Sequence, residues 1–462
     1  MKQRVEKDSL GKRPVPGHVY YGIETLRALE NFPITDLHFH SDFIWALALI
    51  KKACAQANLS LRKLDSRRAK AIVRACDEIL SGKWGDQFVT DVLQSGAGVS
   101  AHMNANEVIA NRALEILGRK KGDYAYLHPH DHVNMGQSTN DVIPTAARLA
   151  ALKLLQKFYA SSKELENSLS AKAKQFRHVV KSGRTHLQDA APVTLGQEFS
   201  GWARQLEKGR ERVQNLATSL LELGIGGSAV GTGLNTTLSY RKKVLGYLKS
   251  LTGFPVRSAK NLFEVMQSDA DLAGVSGGLR SYALCLIQIS NDLRLLSSGP
   301  KTGFAEITLP PRQPGSSIMP GKINPVMPEV TAQAAFQVIG NDLTVSLAAS
   351  AGQLELNVMR PVLIHNLLQS IEILKNTTHV LSAFCIKEIT ADENKCRDYA
   401  ENSYGIAAAL NPYIGYEKGA ECVKESVKTG KPLRQIVLEK GLLSRSQIDK
   451  LLSAQNLTQP KP

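Results

Sequence analysis

Residues 315–325 carry the densest set of groups able to do chemistry. This segment, Gly-Ser-Ser-Ile-Met-Pro-Gly-Lys-Ile-Asn-Pro, presents two hydroxyls, one ammonium and one amide on a loop stiffened by two prolines. An ammonium and an amide can hold a carboxylate through hydrogen bonds, so we expect Lys322 and Asn324 to bind one. A mobile loop of this composition can also close over a substrate as a lid and carry Ser316 to the reacting atoms.

A second polar group, Ser138, Thr139 and Asn140, comes just before a predicted helix. We expect that helix to begin near Pro144, because proline is well tolerated in the first helical turn. The unpaired N–H groups and the dipole of such a terminus favour an anion. For these three residues taken alone, a plain helix cap is the alternative.

Thr185 and His186 lie in a third polar stretch, between two predicted helices. A histidine in such a place is a candidate acid, base or polar anchor, although a lone histidine is more often structural. Glu329 follows Lys322 by seven residues, and a carboxylate can orient a catalytic histidine and set its charge. We therefore expect Glu329 to act on His186.

Long helices must position these segments. Apolar residues recur at helical spacing from Leu195 over about 30 residues, and a second such pattern follows Pro144. Further apolar helical stretches occupy residues 261–299, 326–350 and 361–390. The pattern predicts a mainly α protein with about five long helices between residues 140 and 390. Stripes of this length need partners, which favours a helical bundle completed by other subunits.

Three domains are predicted from this organisation: residues 1–140, a central helical bundle at 141–392, and a small helical domain at 393–462. The last domain has shorter helices, which we expect to break at Asn411-Pro412 and at Gly430. The polar segments that adjoin the long helices are residues 94–106, 128–140, 181–197 and 310–328.

Composition excludes several classes of protein. The 462 residues are 43% apolar and 21% charged, which is enough for a large core and excludes dominant disorder. Six cysteines form no C-x-x-C pair, so a zinc site or disulfide framework is not expected. The N-terminus lacks an apolar signal segment, and the longest uncharged run, residues 223–240, carries five glycines. We expect a soluble cytoplasmic protein that neither spans a membrane nor carries a metal.

The net charge of +15 has two interpretations. Nucleic-acid binding is the less favoured one, because the basic residues are dispersed and no recognised motif or aromatic interleaving accompanies them. A basic surface that keeps the protein soluble and attracts anionic substrates is the favoured one.

Together these segments resemble the fumarase/aspartase superfamily, from about residue 8 to about residue 452. The loop at 315–325 is similar to the signature loop of that superfamily. The stretches that agree with it in the expected order are residues 103–115, 183–190, 231–235 and 411–416. The stretches that look more like the aspartase branch than class II fumarases are residues 103–115, 138–140, 324–330 and 353–359.

The resemblance implies a three-domain fold in which the central five-helix bundles of four subunits form a 20-helix core. Each active site of the homotetramer would then draw segments from three subunits. The resemblance also implies reversible anti elimination of ammonia from L-aspartate to give fumarate, without an organic cofactor.

The resemblance further implies a role for each polar group. Ser316 would be the general base, which requires its alkoxide to be stabilised by loop N–H groups and a closed lid. Charge builds on the carboxylate beside the carbon that loses its proton, where fixed donors stabilise it most. Those donors would be Ser138, Thr139 and Asn140. The other carboxylate would be held by Lys322, Asn324 and Thr185. The amino group would be held by neutral His186 with Asn140, and Glu329 would set the state of His186.

Three positions depart from the family pattern. Val99 stands where a threonine is expected after Gly-Ala-Gly, and His102 stands where an asparagine is expected. Valine cannot hydrogen-bond, and a buried partner left unpaired costs about 1–3 kcal/mol. His130 replaces an asparagine in the His-Pro-Asn-Asp pattern typical of a second anion site in fumarases. Three alternatives stay open: a fumarate hydratase, a lyase for another fumarate-yielding substrate, and a catalytically silent homologue.

Overall fold

The computed structural model describes residues 3–459, and most of them are helical, as predicted. The helices are α1 (Ile23–Asn31), α2 (Ser41–Ser60), α3 (Ser66–Leu80), α4 (Val99–Ile116), α5 (Thr139–Gln175), α6 (Leu195–Ala217), α7 (Leu238–Thr252), α8 (Leu262–Gln267), α9 (Ala270–Leu296), α10 (Val326–Ser350), α11 (Arg360–Phe384), α12 (Glu393–Asn402), α13 (Ala407–Ile414), α14 (Tyr416–Thr429), α15 (Leu433–Glu439), α16 (Arg445–Leu451) and α17 (Ala454–Thr458). The strands are β1 (Gln3–Asp8), β2 (Gly11–Pro16), β3 (Val180–Thr185), β4 (Gln188–Thr194), β5 (Glu222–Leu223), β6 (Arg257–Ser258), β7 (Ile307–Thr308) and β8 (Thr390–Ala391).

The strands form small two-stranded ladders. β1 pairs with β2, β3 with β4, and β7 with β8, all antiparallel, whereas β5 and β6 are parallel. The β3–β4 hairpin lies within the polar stretch predicted between two long helices, so that stretch is an ordered hairpin rather than an irregular loop.

The chain forms two compact units. The first comprises the described residues up to Tyr159, with Glu211–Ser281 and Phe336–Leu374. The second comprises Ala160–Arg210, Tyr282–Ala335 and the described residues from Lys375 onward. The predicted domains, 1–140, 141–392 and 393–462, divide the chain differently and remain a prediction.

The prediction of five long helices between residues 140 and 390 is confirmed. They are α5, α6, α9, α10 and α11, of 37, 23, 27, 25 and 25 residues. The helix from Leu195 is shorter than predicted, because a 3₁₀ turn at Thr218–Leu221 follows Ala217. The predicted stripe is buried at Phe199, Leu206 and Val213.

Two predicted helix boundaries are wrong because each helix accommodates a proline. α5 begins at Thr139, so Pro144 lies in its second turn rather than at its start. α13 likewise runs through Pro412 and ends before Gly415, whose φ of 86° stops it. Proline near a helix start loses only one backbone hydrogen bond. The predicted break at Gly430 is confirmed, since Gly430 has a φ of 71° and caps α14.

Each unit has an apolar core. In the first unit α2 packs against α3 and α7, and α3 packs against α4. In the second unit the hairpin packs against α12, and Leu410, Leu433 and Ile436 anchor a C-terminal cluster. Among the described helices, α9 has the length and apolar composition of a membrane span, with a mean hydropathy of 1.2, and half of that window is buried within the fold. A core helix passes the same test, so this is weak support for a span.

Candidate active site

The start of α5 is anchored by one buried carboxylate. Asp141 Oδ1 accepts from Ser138 N at 2.9 Å, and Asp141 Oδ2 accepts from Gly226 N and Ser228 N at 3.0 Å each. Burial raises the pKa of Asp141 to about 6, against the opposing effect of these three N–H donors. The carboxylate therefore ties the polar residues before α5 to the glycine-rich segment at 224–233.

Hydrogen bonds hold the three residues at this helix terminus that are predicted to bind the substrate. Asn140 Nδ2 donates to Ala229 O at 2.8 Å, and Asn140 N donates to Ser138 Oγ at 3.2 Å. Thr139 Oγ1 lies 2.7 Å from His102 Nδ1. All three residues are half-buried. They thus form a fixed group of donors at a helix N-terminus, the arrangement that favours an anion.

Behind Thr139 the structure places a pair of buried basic side chains. Lys51 Nζ lies 2.6 Å from His102 Nε2, 2.9 Å from Asn134 Oδ1 and 2.8 Å from Gln137 Oε1. Lys51 is fully buried, and burial lowers its pKa to about 7. Burial also lowers the pKa of His102 well below its usual value. Sequence reasoning singled out His102 but missed Lys51, whose only signal is a lysine on the apolar face of α2.

Val99 begins α4, at the position where the family pattern has a threonine. The residue is 41% exposed, and it follows Gly98, whose φ is 95°. Gln94 Oε1 accepts from Ala101 N at 2.8 Å and so pairs one amide of the first turn. The side chain of Val99 therefore presents an apolar surface where a hydroxyl was expected.

Thr185 and His186 lie at the tip of the β3–β4 hairpin. His186 and Leu187 form its two-residue turn with φ angles of 55° and 59°, the left-handed values that such a turn requires. Residues other than glycine adopt these values in only a few per cent of cases. Thr185 and His186 are exposed. The tip of the hairpin thus exposes the predicted histidine to solvent.

Buried ion pairs fix the base of this hairpin. Lys181 Nζ lies 2.7 Å from Glu198 Oε1 and 3.2 Å from Glu306 Oε2. Arg184 NH1 donates to both oxygens of Glu306, at 2.9 and 3.0 Å. Gly183 lies between Lys181 and Arg184 in β3. A Cβ at this position would lie 2.4 Å from Ala191 O, so only glycine allows β3 and β4 to approach this closely. The base of the hairpin is rigid and its tip is exposed.

The loop at 315–325 holds Ser316 by two amides. Ser316 Oγ accepts from Ile318 N at 3.2 Å and from Met319 N at 3.0 Å. The neck of the loop is closed by Gly315 N donating to Lys322 O, and by Asn324 Nδ2 donating to Gly315 O, each at 2.8 Å. An open cavity of about 440 Å³ lies against the loop, lined by Ser316 and Lys322 among others. The N–H groups that an alkoxide on Ser316 requires are therefore present.

The two units hold different parts of the predicted site. The first unit contains Ser138, Thr139 and Asn140. The second unit contains Thr185, His186, Ser316, Lys322, Asn324 and Glu329. Glu329 is half-buried in the first turn of α10, and within the described residues no hydrogen bond or ion pair joins it to His186. The predicted action of Glu329 on His186 remains a prediction.

His130 lies in a separate pocket of the first unit. Its Nε2 is 2.6 Å from Glu24 Oε1, and this hydrogen bond raises the pKa of His130. The pocket has a volume of about 590 Å³, and its lining includes Lys7 and Arg27. In residues 3–459 no group of three or more His, Cys, Asp or Glu side chains is arranged to hold a metal ion.

Comparison with protein families gives the class of this protein. The model of the family described as "Lyase" matches residues 11–340, and the model described as "Fumarase C C-terminus" matches residues 406–459. The chain belongs to this lyase family, as the resemblance in its sequence predicted.

Individual relatives are similar over nearly the whole chain. Aspartate ammonia-lyase of Bacillus subtilis is 50% identical, covering 99% of this chain and 96% of that protein. Aspartate ammonia-lyase of Helicobacter pylori is 48% identical, covering 99% of this chain and 98% of that protein. Aspartate ammonia-lyase of Escherichia coli is 46% identical, covering 99% of this chain and 96% of that protein.

Solved structures agree with the fold. The structure described as fumarate lyase:delta crystallin from Brucella melitensis bound to cobalt has a TM-score of 0.97 at 45% identity, covering 99% of this chain and all of that one. The class II fumarase of Schistosoma mansoni has a TM-score of 0.93 at 36% identity, covering 98% of both chains. The fold is therefore that of the fumarate lyases.

Proposed function

We propose that this chain is a carbon–nitrogen lyase that reversibly eliminates ammonia from L-aspartate to give fumarate. One observation carries the choice of substrate. The three aspartate ammonia-lyases share 46–50% identity with 99% of the chain, whereas the class II fumarase shares 36%. The aspartase-like stretches in the sequence favour the same choice over release of water.

In the proposed reaction Ser316 is the general base. Its alkoxide takes the proton from the carbon next to one carboxylate of aspartate. The electron pair of that C–H bond forms the double bond, and the C–N bond breaks with its electron pair going to the protonated amino group, which leaves as ammonia. The amides of Ile318 and Met319, which already donate to Ser316 Oγ, would stabilise the alkoxide. Closure of the loop would exclude water and strengthen these bonds.

Donors on α5 would stabilise the charge that develops. As the proton leaves, negative charge spreads onto the adjacent carboxylate, which becomes a dianion. The hydroxyls of Ser138 and Thr139, the amide of Asn140 and the positive end of the α5 dipole all favour that charge. Because Asp141 and the 224–233 segment hold these groups, they need no rearrangement during the reaction.

The remaining predicted residues would bind the rest of the substrate. Lys322, Asn324 and Thr185 would hold the second carboxylate. His186, neutral and with Asn140, would take the amino group, and Glu329 would set the state of His186. The side chains of Lys322 and His186 are exposed and make no hydrogen bond or ion pair within residues 3–459, so both are free to meet a ligand.

We further propose that the enzyme is a soluble cytoplasmic homotetramer whose sites combine segments of three subunits. α10 supports the assembly. Phe336, Leu343 and Leu347 are 58%, 63% and 63% exposed at spacings of seven and four residues. An exposed apolar stripe of this kind needs a partner helix. Sedimentation velocity of the purified protein tests this, and a monomer would overturn it.

The reaction is tested by the ultraviolet absorbance of fumarate, with L-aspartate and L-malate offered separately to purified protein. We expect fumarate from L-aspartate only. Fumarate from L-malate alone would make the chain a hydratase. With neither substrate active, the proposal fails in favour of another succinyl-type substrate or a non-catalytic role.

A further inference from the structure

We propose that Lys51 and His102 are positioning residues that fix the hydroxyl of Thr139 as a hydrogen-bond donor to the substrate. The proposal rests on the proposed function, because it assumes that a dicarboxylate lies against Thr139. It adds two residues to the machinery of the site, neither of which would touch the substrate.

The direction of each hydrogen bond follows from the chemistry of the donors. When Lys51 carries its proton, below its pKa of about 7, its ammonium only donates, so His102 Nε2, 2.6 Å from Lys51 Nζ, accepts. A neutral imidazole that accepts at Nε2 carries its proton on Nδ1. That Nδ1–H then donates to Thr139 Oγ1 across 2.7 Å. Since Thr139 Oγ1 is the acceptor of this bond, its own proton is available for a ligand.

The position of Lys51 Nζ is fully determined by its partners. An ammonium has three N–H donors, and His102, Asn134 and Gln137 supply three acceptors at 2.6, 2.9 and 2.8 Å. Both Lys51 and His102 are buried, so water does not compete for these bonds. The histidine therefore has a single tautomer as long as Lys51 carries its proton.

Besides packing, this arrangement fixes the orientation of the Thr139 hydroxyl. A threonine hydroxyl rotates and can either donate to a ligand or accept from another group. A dianion requires donors only, and a donor oriented in advance avoids reorganisation during the reaction. With Val99 unable to hydrogen-bond, the terminus of α5 carries more of this task, and a hydroxyl fixed as a donor strengthens it.

Lys51, His102 and Thr139 form a relay of two hydrogen bonds, and variants of His102 test these two bonds separately. Asparagine keeps a donor at the Nδ1 position, which faces Thr139. Glutamine keeps an acceptor near the Nε2 position, which faces Lys51, and loses the donor to Thr139. Below pH 7, where Lys51 carries its proton, we expect kcat with L-aspartate to fall about tenfold in H102Q with a small change in KM, and to stay within about threefold in H102N. Equal activity of H102Q and wild type would overturn the proposal.

A double-mutant cycle excludes a merely structural effect. T139V removes the hydroxyl and should itself lower kcat. If His102 acts through that hydroxyl, adding H102Q to T139V lowers kcat no further. Independent losses that multiply would overturn the proposal. The matched control is T145V, because Thr145 is buried on the same helix and its Oγ1 has no hydrogen-bond partner among the described residues 3–459. T145V should keep the wild-type kcat, and adding H102Q to T145V should lower kcat as much as H102Q does alone.

Failure of the relay and failure of the proposed function are distinguishable. If wild-type protein does not release fumarate from L-aspartate, the proposed function fails irrespective of any variant. Fumarate binding, measured by isothermal titration calorimetry, then tests the relay directly. About tenfold weaker binding by H102Q than by wild type supports it, and equal binding overturns it.

Discussion

The start of α5 and the loop at 315–325 hold their polar groups in opposite ways. At α5, Asp141 and His102 are buried and hydrogen-bond the residues around Thr139 from behind. In the loop, the only hydrogen bonds to Ser316 Oγ within residues 3–459 come from amides of the same loop, and Lys322 is exposed. The first arrangement suits groups that must stay fixed while charge develops, and the second suits groups that must move to admit and enclose a substrate.

The largest expected effect comes from removing Ser316, the proposed general base. We expect S316A to lower kcat with L-aspartate by about a thousandfold, the loss typical of a missing general base, with the oligomeric state unchanged. The matched control is S317A, which removes the neighbouring exposed hydroxyl of the same loop and should keep most activity. Fumarate release by S316A above a tenth of the wild-type rate would refute the role of Ser316.

Loosening the fixed region should have the next largest effect. In D141N one carboxylate oxygen becomes an amide NH₂, which faces backbone N–H donors instead of accepting from them. We expect about a hundredfold loss of kcat and a lower melting temperature, because buried donors lose their acceptor. D131N, at an exposed aspartate, is the control. A D141N enzyme with wild-type kcat would mean that the terminus of α5 need not be rigid.

A smaller effect is expected from restoring a hydrogen-bonding group at the start of α4. V99T should raise kcat/KM for L-aspartate about fivefold, the effect of one hydrogen bond of about 1 kcal/mol. Steady-state kinetics of fumarate release measure it. No change would mean that the fixed donors on α5 already supply what the missing hydroxyl would add.

The smallest effect concerns the pH dependence of stability. Burial lowers the pKa of Lys51 from 10.5 to about 7, so between these values the unfolded chain binds more protons than the folded one. The free energy of unfolding contributed by Lys51 is therefore lowest below pH 7 and rises with pH through this window, by at most about 1.4 kcal/mol per pH unit. Urea unfolding at pH 7, 8 and 9 measures the free energy of unfolding of wild type and of K51M. We expect the value of wild type, relative to that of K51M, to increase with pH.

Neighbouring groups do not account for that difference. The thiols of Cys54 and Cys76 and the hydroxyl of Tyr240 have raised pKa values, so they stay neutral in the folded protein at these pH values. Asp141, with a pKa of about 6, titrates below the window. These four groups are present in wild type and in K51M alike. If the free energies of unfolding of the two proteins changed with pH in parallel, that result would contradict a lowered pKa for Lys51.

Local patterns were sufficient for the long helices but not for their ends. Apolar spacing identified α5, α6, α9, α10 and α11, because a buried helix face requires that spacing. The ends depended on contacts from distant residues. Asp141, bonded to Gly226 and Ser228, lets α5 start before Pro144. A hairpin was missed because its turn, His186-Leu187, lacks the glycine or asparagine that usually marks one.

The sequence by itself determined the family, the mainly helical fold and the residue types of the site, because loop motifs and apolar periodicity are local properties of the chain. Only the tertiary structure decided which groups stand behind those residues. Lys51, His102 and Thr139 are far apart in the chain, and their hydrogen bonds exist because α2, α4 and α5 enclose them away from water. The direction of a buried hydrogen bond depends on every partner around it, and no local pattern encodes such a set.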